Sequence, residues 1–248
     1  MYVGVAQQAG CPLITLDGEQ LRRVAGVITT QTPAVAVHTA ARDTTVSRFC
    51  AEIAMLPIHT QRISLRDWRL EDMAPYRTWM QPGQRWQEFD GPYYPRPSPT
   101  QVDEQIERLR QRVLSGDWPN PRTRLVVADC ATDALLGAVN WYWIGQETNW
   151  LAIGISLFDP TSWGQGLGYQ ALGQWCEYLW TTMPQVVRLD LRTWSGNHGM
   201  VRLAEKLGFQ REACFRKARI VRGVYYDGLG YGVLREEWRE RYPQKFGG

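Results

Sequence analysis

A mixed α/β fold on one sheet, mostly antiparallel with a single central β-α-β crossover, is what the residue pattern predicts. Three observations carry it. Three apolar runs of strand character follow one another closely between residues 124 and 158, and connections that short favour antiparallel pairing as a meander. A long amphipathic stretch at 166–183 then separates the third run from a further strand at 187–194, as a parallel crossover requires. Two last runs flank Arg222-Gly223, the chemistry of a hairpin turn. Together these argue against a fully parallel sheet.

The first sixty residues read separately. Residues 29–45 are rich in Thr, Ala and Val and keep no clear helical or strand period. Residues 43–56 read as one helix, closed by Pro57, which cannot continue it. The chain therefore divides into an appendage at 1–33, a linker with a helix at 34–59, and a domain at 60–242. Within that domain 63–68 is a short strand. A helix opens near Leu70 with Glu71 and Asp72 in its first turn, where acids favour the dipole. Residues 84–99 form a loop, broken by Gly91, Pro92, Pro95, Pro97 and Pro99. Over 101–114, Val102, Ile106, Leu109 and Val113 share one helical face.

Strands follow at 124–129, 135–143 and 150–158. The helix over 166–183 brings Leu172, Trp175, Cys176 and Leu179 together. A strand at 187–194 leads to a helix at 200–207, which Gly208 stops. Strands at 212–221 and 224–234 close the domain.

Composition narrows the class of function. Apolar residues make up 44% of the 248, enough for a core and too many for a disordered chain. The net charge of +3, from 28 basic and 25 acidic residues without a dense Lys/Arg block, does not point to nucleic acid. Cys11, Cys50, Cys130, Cys176 and Cys214 are scattered, and His38, His59 and His198 are isolated. No metal-ligand spacing results, and free thiols suit a reducing compartment. No apolar run reaches the roughly 18 residues of a membrane helix, and no secretion-signal pattern opens the chain. A soluble cytoplasmic protein is expected. Twelve Trp and eleven Tyr, most of them between Trp68 and Trp194, fill a core or line a pocket.

The most informative run is residues 154–169, GISLFDPTSWGQGLGY. It sets Gly164, Gly166 and Gly168 between a strand and the start of a helix. Glycines let backbone approach a phosphate, and free N–H groups at a helix N-terminus bind anions. Glycines also serve ordinary turns, so the run alone leaves both readings open. A dinucleotide fingerprint fits less well: Tyr169 stands where its third glycine belongs, although Asp190 lies where a ribose-binding acid would. A Walker loop would need a Lys after the last glycine, and none is there.

Residues 163–168, WGQGLG, resemble the acetyl-CoA pyrophosphate loop of GNAT acetyltransferases, with Trp163 at the head as in the branch similar to the ribosomal-protein acetyltransferases RimJ and RimL. Asn197 followed by residues 201–209, VRLAEKLGF, resembles a second segment of that family, and residues 225–238 resemble its closing strands. The resemblance implies the GNAT fold and acetyl-CoA as co-substrate, with no metal needed. It implies that backbone groups of Ile155, Ser156 and Leu157 pair with the pantetheine arm. Trp163, Gly164, Gln165, Gly166, Leu167, Gly168 and Tyr169 would then hold the pyrophosphate, and Asn197 would contact the arm. A free amine, on a small molecule or a protein N-terminus, would attack the thioester, with the Leu157 N–H as oxyanion donor.

Relatives carry a Tyr acid where this chain has Ala204. Tyr225, Tyr226, Ser195 or a water replaces it, or the thiolate leaves unassisted. Glu147 and Asp190 are candidate bases, though an isolated acid more often reads as a solvated or structural carboxylate. Trp86, Phe89, Asp90 and Tyr93 in the proline-rich loop either form an acceptor pocket or simply pack. The alternative function is a non-catalytic acyl-CoA-binding module. The final hairpin and tail are a candidate homodimer contact. Residues 1–33 resemble the C-terminal end of a PIN domain, with Asp17 at its carboxylate position, but one Asp does not make a two-metal site.

Overall fold

Alternating apolar residues build the sheet. In the computed structural model, which describes residues 56–247, eight strands form one sheet. They are β1 (Ile58–His59), β2 (Ile63–Arg66), β3 (Arg124–Asp129), β4 (Leu135–Gly145), β5 (Trp150–Leu157), β6 (Arg188–Trp194), β7 (Gln210–Val221) and β8 (Val224–Leu234). Their spatial order is β1-β2-β3-β4-β5-β6-β8-β7. Every neighbouring pair is antiparallel except β5 and β6, which are parallel. The predicted mixed sheet with its one crossover is present. The chain's last strand, β8, inserts between β6 and β7, an order that the hairpin pattern leaves open.

The helices are α1 (Met73–Met80), α2 (Pro99–Ser115), α3 (Leu167–Thr182), α4 (His198–Leu207) and α5 (Arg235–Arg241). Strand alternation sorts side chains between two layers. Leu125 and Val127 of β3 join the core under α3, with Trp175, Leu179, Leu207 and Trp238. Val126 and Ala128 join the opposite core with Tyr76, Trp86, Val102 and Ile106. Most of the tryptophans and tyrosines are thereby spent on packing.

Two local differences from the sequence reading matter to the site. β2 ends at Arg66 rather than at residue 68, and the buried Arg66 guanidinium there meets both carboxylate oxygens of Asp72 at 2.7 and 3.0 Å. Pro99 does not belong to the loop. It is the first residue of α2, behind a Ser98 cap whose Oγ accepts from the Gln101 N–H, while Gln101 Oε1 accepts from the Ser98 N–H at 2.8 Å. The missing N–H of Pro is harmless there, so the loop after α1 ends one residue sooner and is anchored. The appendage at 1–33 with Asp17, and the linker and helix as far as residue 55, lie outside the described residues.

Candidate active site at the splay of two parallel strands

The parallel pair holds for only three residues. Leu151, Ala152 and Ile153 of β5 face Leu189, Asp190 and Leu191 of β6. Beyond them β5 continues to Leu157 against β4 alone, and β6 continues to Trp194 against β8. A wedge opens between them. Ser156 lies opposite Ala138, and the Phe158 N–H donates to the Leu136 carbonyl at 2.9 Å. In an antiparallel pair successive residues turn their amides to opposite sides, so Ser156 spends its backbone on β4, whereas Ile155 and Leu157 turn theirs into the wedge. The expectation that all three present backbone groups to a ligand is thus corrected for Ser156, which nonetheless borders the cleft. Gly137 permits this close approach: a Cβ there would collide with the Ser156 carbonyl oxygen. The Leu157 carbonyl is taken by Trp163 Nε1 at 3.0 Å.

The wedge widens into a cleft of about 530 Å³. One wall is the glycine loop and the first turn of α3. Gly164 and Gly166 have φ of 72° and 82°, a backbone region that disfavours side chains, and a Cβ on either would meet nothing within 4 Å. The glycines therefore serve conformation and leave an open face. The first intrahelical bond of α3 comes from the Gln170 N–H to the Gly166 carbonyl, so the amides of Leu167, Gly168 and Tyr169 are unspent and the first turn holds no acid. Arg202 and Lys206, four residues apart on α4, line the same cleft, with Lys206 Nζ 4.5 Å from the Tyr169 ring centre. An open glycine face, a helix N-terminus and two cations fit the phosphates of a coenzyme A.

The opposite wall is the loop between α1 and α2. Trp86 Nε1 donates to the Trp79 carbonyl at 2.9 Å. The Phe89 ring meets Trp163 edge-on at 5.5 Å between centres, and its carbonyl accepts from both Trp194 Nε1 and Asn197 Nδ2. Asp90 follows, exposed and lining the cleft. Desolvation pushes its carboxyl above the usual carboxylate range, against the pull of Arg96 and Arg124.

Several predicted site residues lie elsewhere. Gln165 turns to Arg62, which holds its carbonyl at 3.0 Å and its Oε1 at 2.6 Å. Its role is to brace the loop from below. Asn197 is engaged by Phe89 and by the α4 cap, where its Oδ1 accepts from the Met200 N–H at 3.0 Å. It is a hinge between walls before it is a ligand contact. Glu147 sits in the exposed β4–β5 turn, at the opposite end of β5 from the cleft. Asp190 is buried against Arg188 at 2.7 Å, and burial pushes its carboxyl up. Tyr225 is 59% exposed near the hairpin turn, and Tyr93 packs edge-on against Trp194 under Arg219. None of these four lines the cleft. Ala204 is fully buried in the core. The sequence reading missed Met200, Arg202, Leu203 and Lys206; the spacing of Arg202 and Lys206 at i and i+4 placed them on one face.

Sheet, splay and glycine cleft together describe an acyltransferase. A family model described as an acetyltransferase (GNAT) domain matches residues 62–210, and the chain belongs to that family of enzymes. Among curated proteins, it is 26% identical over 138 residues to the uncharacterized SPbeta prophage-derived N-acetyltransferase YokL of Bacillus subtilis, covering 55% of this chain and 69% of that one. Among solved structures, it is similar to spermidine N-acetyltransferase from Vibrio cholerae in complex with CoA and spermine, with 18% identity, a TM-score of 0.58, and coverage of 72% of this chain and 99% of that one. It is also similar to ribosomal-protein-S5-alanine acetyltransferase from Vibrio fischeri, with 16% identity, a TM-score of 0.59, and coverage of 74% and 99%. The structural likenesses show the fold.

Proposed function

We propose that this chain is a cytoplasmic, RimJ/RimL-like enzyme that transfers the acetyl group of acetyl-CoA to a primary amine by direct attack. The acceptor is a small amine or a protein N-terminus. The observation that carries the reading is a cleft in which the wedge amides of β5, the glycine loop and the aromatic loop converge. Acetyl-CoA supplies an acetyl thioester whose thiolate leaves readily. The amides of 167–169, with Arg202 and Lys206, hold its phosphates. Ile155 offers backbone groups to the pantetheine arm, and the Leu157 N–H faces the position of the developing oxyanion. The Vibrio cholerae spermidine enzyme supports a small amine, and the Vibrio fischeri enzyme supports a protein amino group.

Thermal unfolding with acetyl-CoA, NAD or buffer tests the co-substrate. A ligand at about 100 times its Kd stabilises by about 2.7 kcal/mol, which raises Tm by several degrees in a domain this size. Stabilisation by acetyl-CoA and not by NAD is expected; no response to acetyl-CoA would sink the reading. A second reading, a non-catalytic acyl-CoA-binding module, draws on Ala204, which is buried where relatives have a Tyr. Release of free CoA with an amine panel separates the two. Exposed Phe215, Ile220, Val224 and Tyr225 on the β7–β8 hairpin support a homodimer through that face, which sedimentation at two concentrations checks.

A further inference from the structure

We infer that Tyr242, in the C-terminal segment, is a positioning residue for the co-substrate: its phenol fixes the Tyr169 ring, and that ring holds the Lys206 ammonium where the phosphates of acetyl-CoA bind. The inference rests on the acetyl-transfer reading above. It adds a residue outside the cleft, since Tyr169 and Lys206 line the cleft and Tyr242 does not.

The contacts run as one chain from the tail to the cleft. The Tyr169 and Tyr242 hydroxyls lie 3.2 Å apart. Tyr242 donates onward to the Leu207 carbonyl at 3.4 Å, so the hydrogen between the two phenols comes from Tyr169. Burial, and then the Tyr242 hydroxyl, pushes the Tyr169 phenol up to about 12, which keeps that donor protonated. The Tyr169 ring packs on Phe246 at 5.0 Å between centres, and Phe246 packs on Tyr242 and Trp238. Arg241 completes the frame: its Nη2 donates to the Lys206 carbonyl at 3.0 Å. Two carbonyls at the end of α4, which have no partner within the helix, are thus held by Arg241 and Tyr242.

Lys206 is the member of this chain that is free to meet a ligand. Among the described residues no hydrogen bond or ion pair reaches its ammonium, and what it meets is the Tyr169 ring, 4.5 Å from Nζ to the centre. A cation is attracted to an aromatic face, whereas a lysine head on its flexible stem is otherwise free to wander. A ring that cannot turn pre-places the charge, and pre-placement lowers the ordering cost of binding a phosphate. The tail itself is anchored without the phenol oxygen, through Trp238, Arg239 and Phe246 on Glu177. That oxygen is therefore the part of Tyr242 that serves the cleft.

The experiment compares wild type with Tyr242→Phe, Lys206→Met and the double variant. Calorimetry measures affinity for acetyl-CoA. The rise in Tm at millimolar concentration measures affinity for S-acetylpantetheine, which has the thioester arm and no phosphate. Tyr242→Phe keeps the ring and its packing. It should weaken acetyl-CoA binding about fivefold, the worth of one hydrogen bond, and leave S-acetylpantetheine binding unchanged. Lys206→Met should weaken acetyl-CoA binding at least as much, and Tyr242→Phe should add little to it, because the two residues act as one unit. Equal losses for the two donors would show a tail that merely supports the domain, and would overturn the inference. So would an unchanged acetyl-CoA affinity in Tyr242→Phe, or losses that add in full in the double variant. A wild type that binds no acetyl-CoA refutes instead the acetyl-transfer reading. An unliganded Tm close to that of wild type shows that the variants are folded.

Discussion

The Asn197 side-chain amide donates to the Phe89 carbonyl at 3.2 Å, alongside Trp194 Nε1 at 3.0 Å. Through these bonds the end of β6 and the start of α4 grip the loop that carries Asp90. The two walls of the cleft are therefore one connected unit. The same Asn caps α4, so its two functions can be separated by substitution. Asn197→Asp keeps an acceptor for the Met200 N–H and loses the donor to Phe89. It should keep the Tm near that of wild type while acetyl transfer falls. Asn197→Ala loses both and should also lower stability by about 1 kcal/mol. Calorimetric unfolding alongside turnover checks both.

Gly137 is the second sensitive point. An added methyl would strike the Ser156 carbonyl oxygen, which is backbone and cannot swing aside. Gly137→Ala should cost about 1–3 kcal/mol, as overpacking does. It should also weaken acetyl-CoA binding, because the end of β5 must shift. Urea unfolding and calorimetry would show the two losses together.

Glu177 ties the C-terminal segment to α3. Its carboxylate accepts from Trp238 Nε1 at 2.7 Å, from Arg239 at 2.8 and 3.1 Å, and from the Phe246 N–H at 3.1 Å. Glu177→Ala strands three donors. Arg239 is 35% exposed and can rehydrate, so the cost should fall near the lower end of that for breaking a buried pair, about 3 kcal/mol. Glu177→Gln keeps one carbonyl oxygen for Trp238 Nε1 and the Phe246 N–H and should lose less. The midpoint of urea unfolding measures both.

Asp90 predicts a pH dependence of stability. Its folded carboxyl lies above the unfolded value because of desolvation. Below the unfolded value it is protonated in both states and costs nothing. As pH rises through the raised folded value, the folded state must hold a charge that its surroundings disfavour, and stability is lost. Asp90→Asn carries no such charge. It should therefore match wild type in acid and exceed it in Tm at neutral pH, with the difference growing as pH rises between the two values. Thermal unfolding across pH 3 to 8 (about the span set by ordinary carboxylate behaviour) checks the sign.

Much of this was legible in order along the chain. The meander, the crossover helix and the hairpin follow from period and turn chemistry, and the glycines within residues 163–168 mark one wall of the cleft. Asp90 and its aromatic neighbours were legible only as a cluster. Glu147 and Asp190 read as candidate bases, because an isolated acid looks alike wherever it lies; the strand path puts one at the far end of β5 and the other against Arg188. Arg202 and Lys206 required knowing which face of α4 meets the wedge.

The sequence by itself determined the elements, their periodicity and the glycine conformations, since these depend on residues within a few positions of one another. Only the tertiary structure decided that β8 enters between β6 and β7, that β5 and β6 part after Ile153, and that Phe89 meets Asn197 across 108 residues. Those relations depend on how distant segments share one core. No local pattern encodes which buried surfaces meet, whereas burying them together is what sets the walls of the cleft.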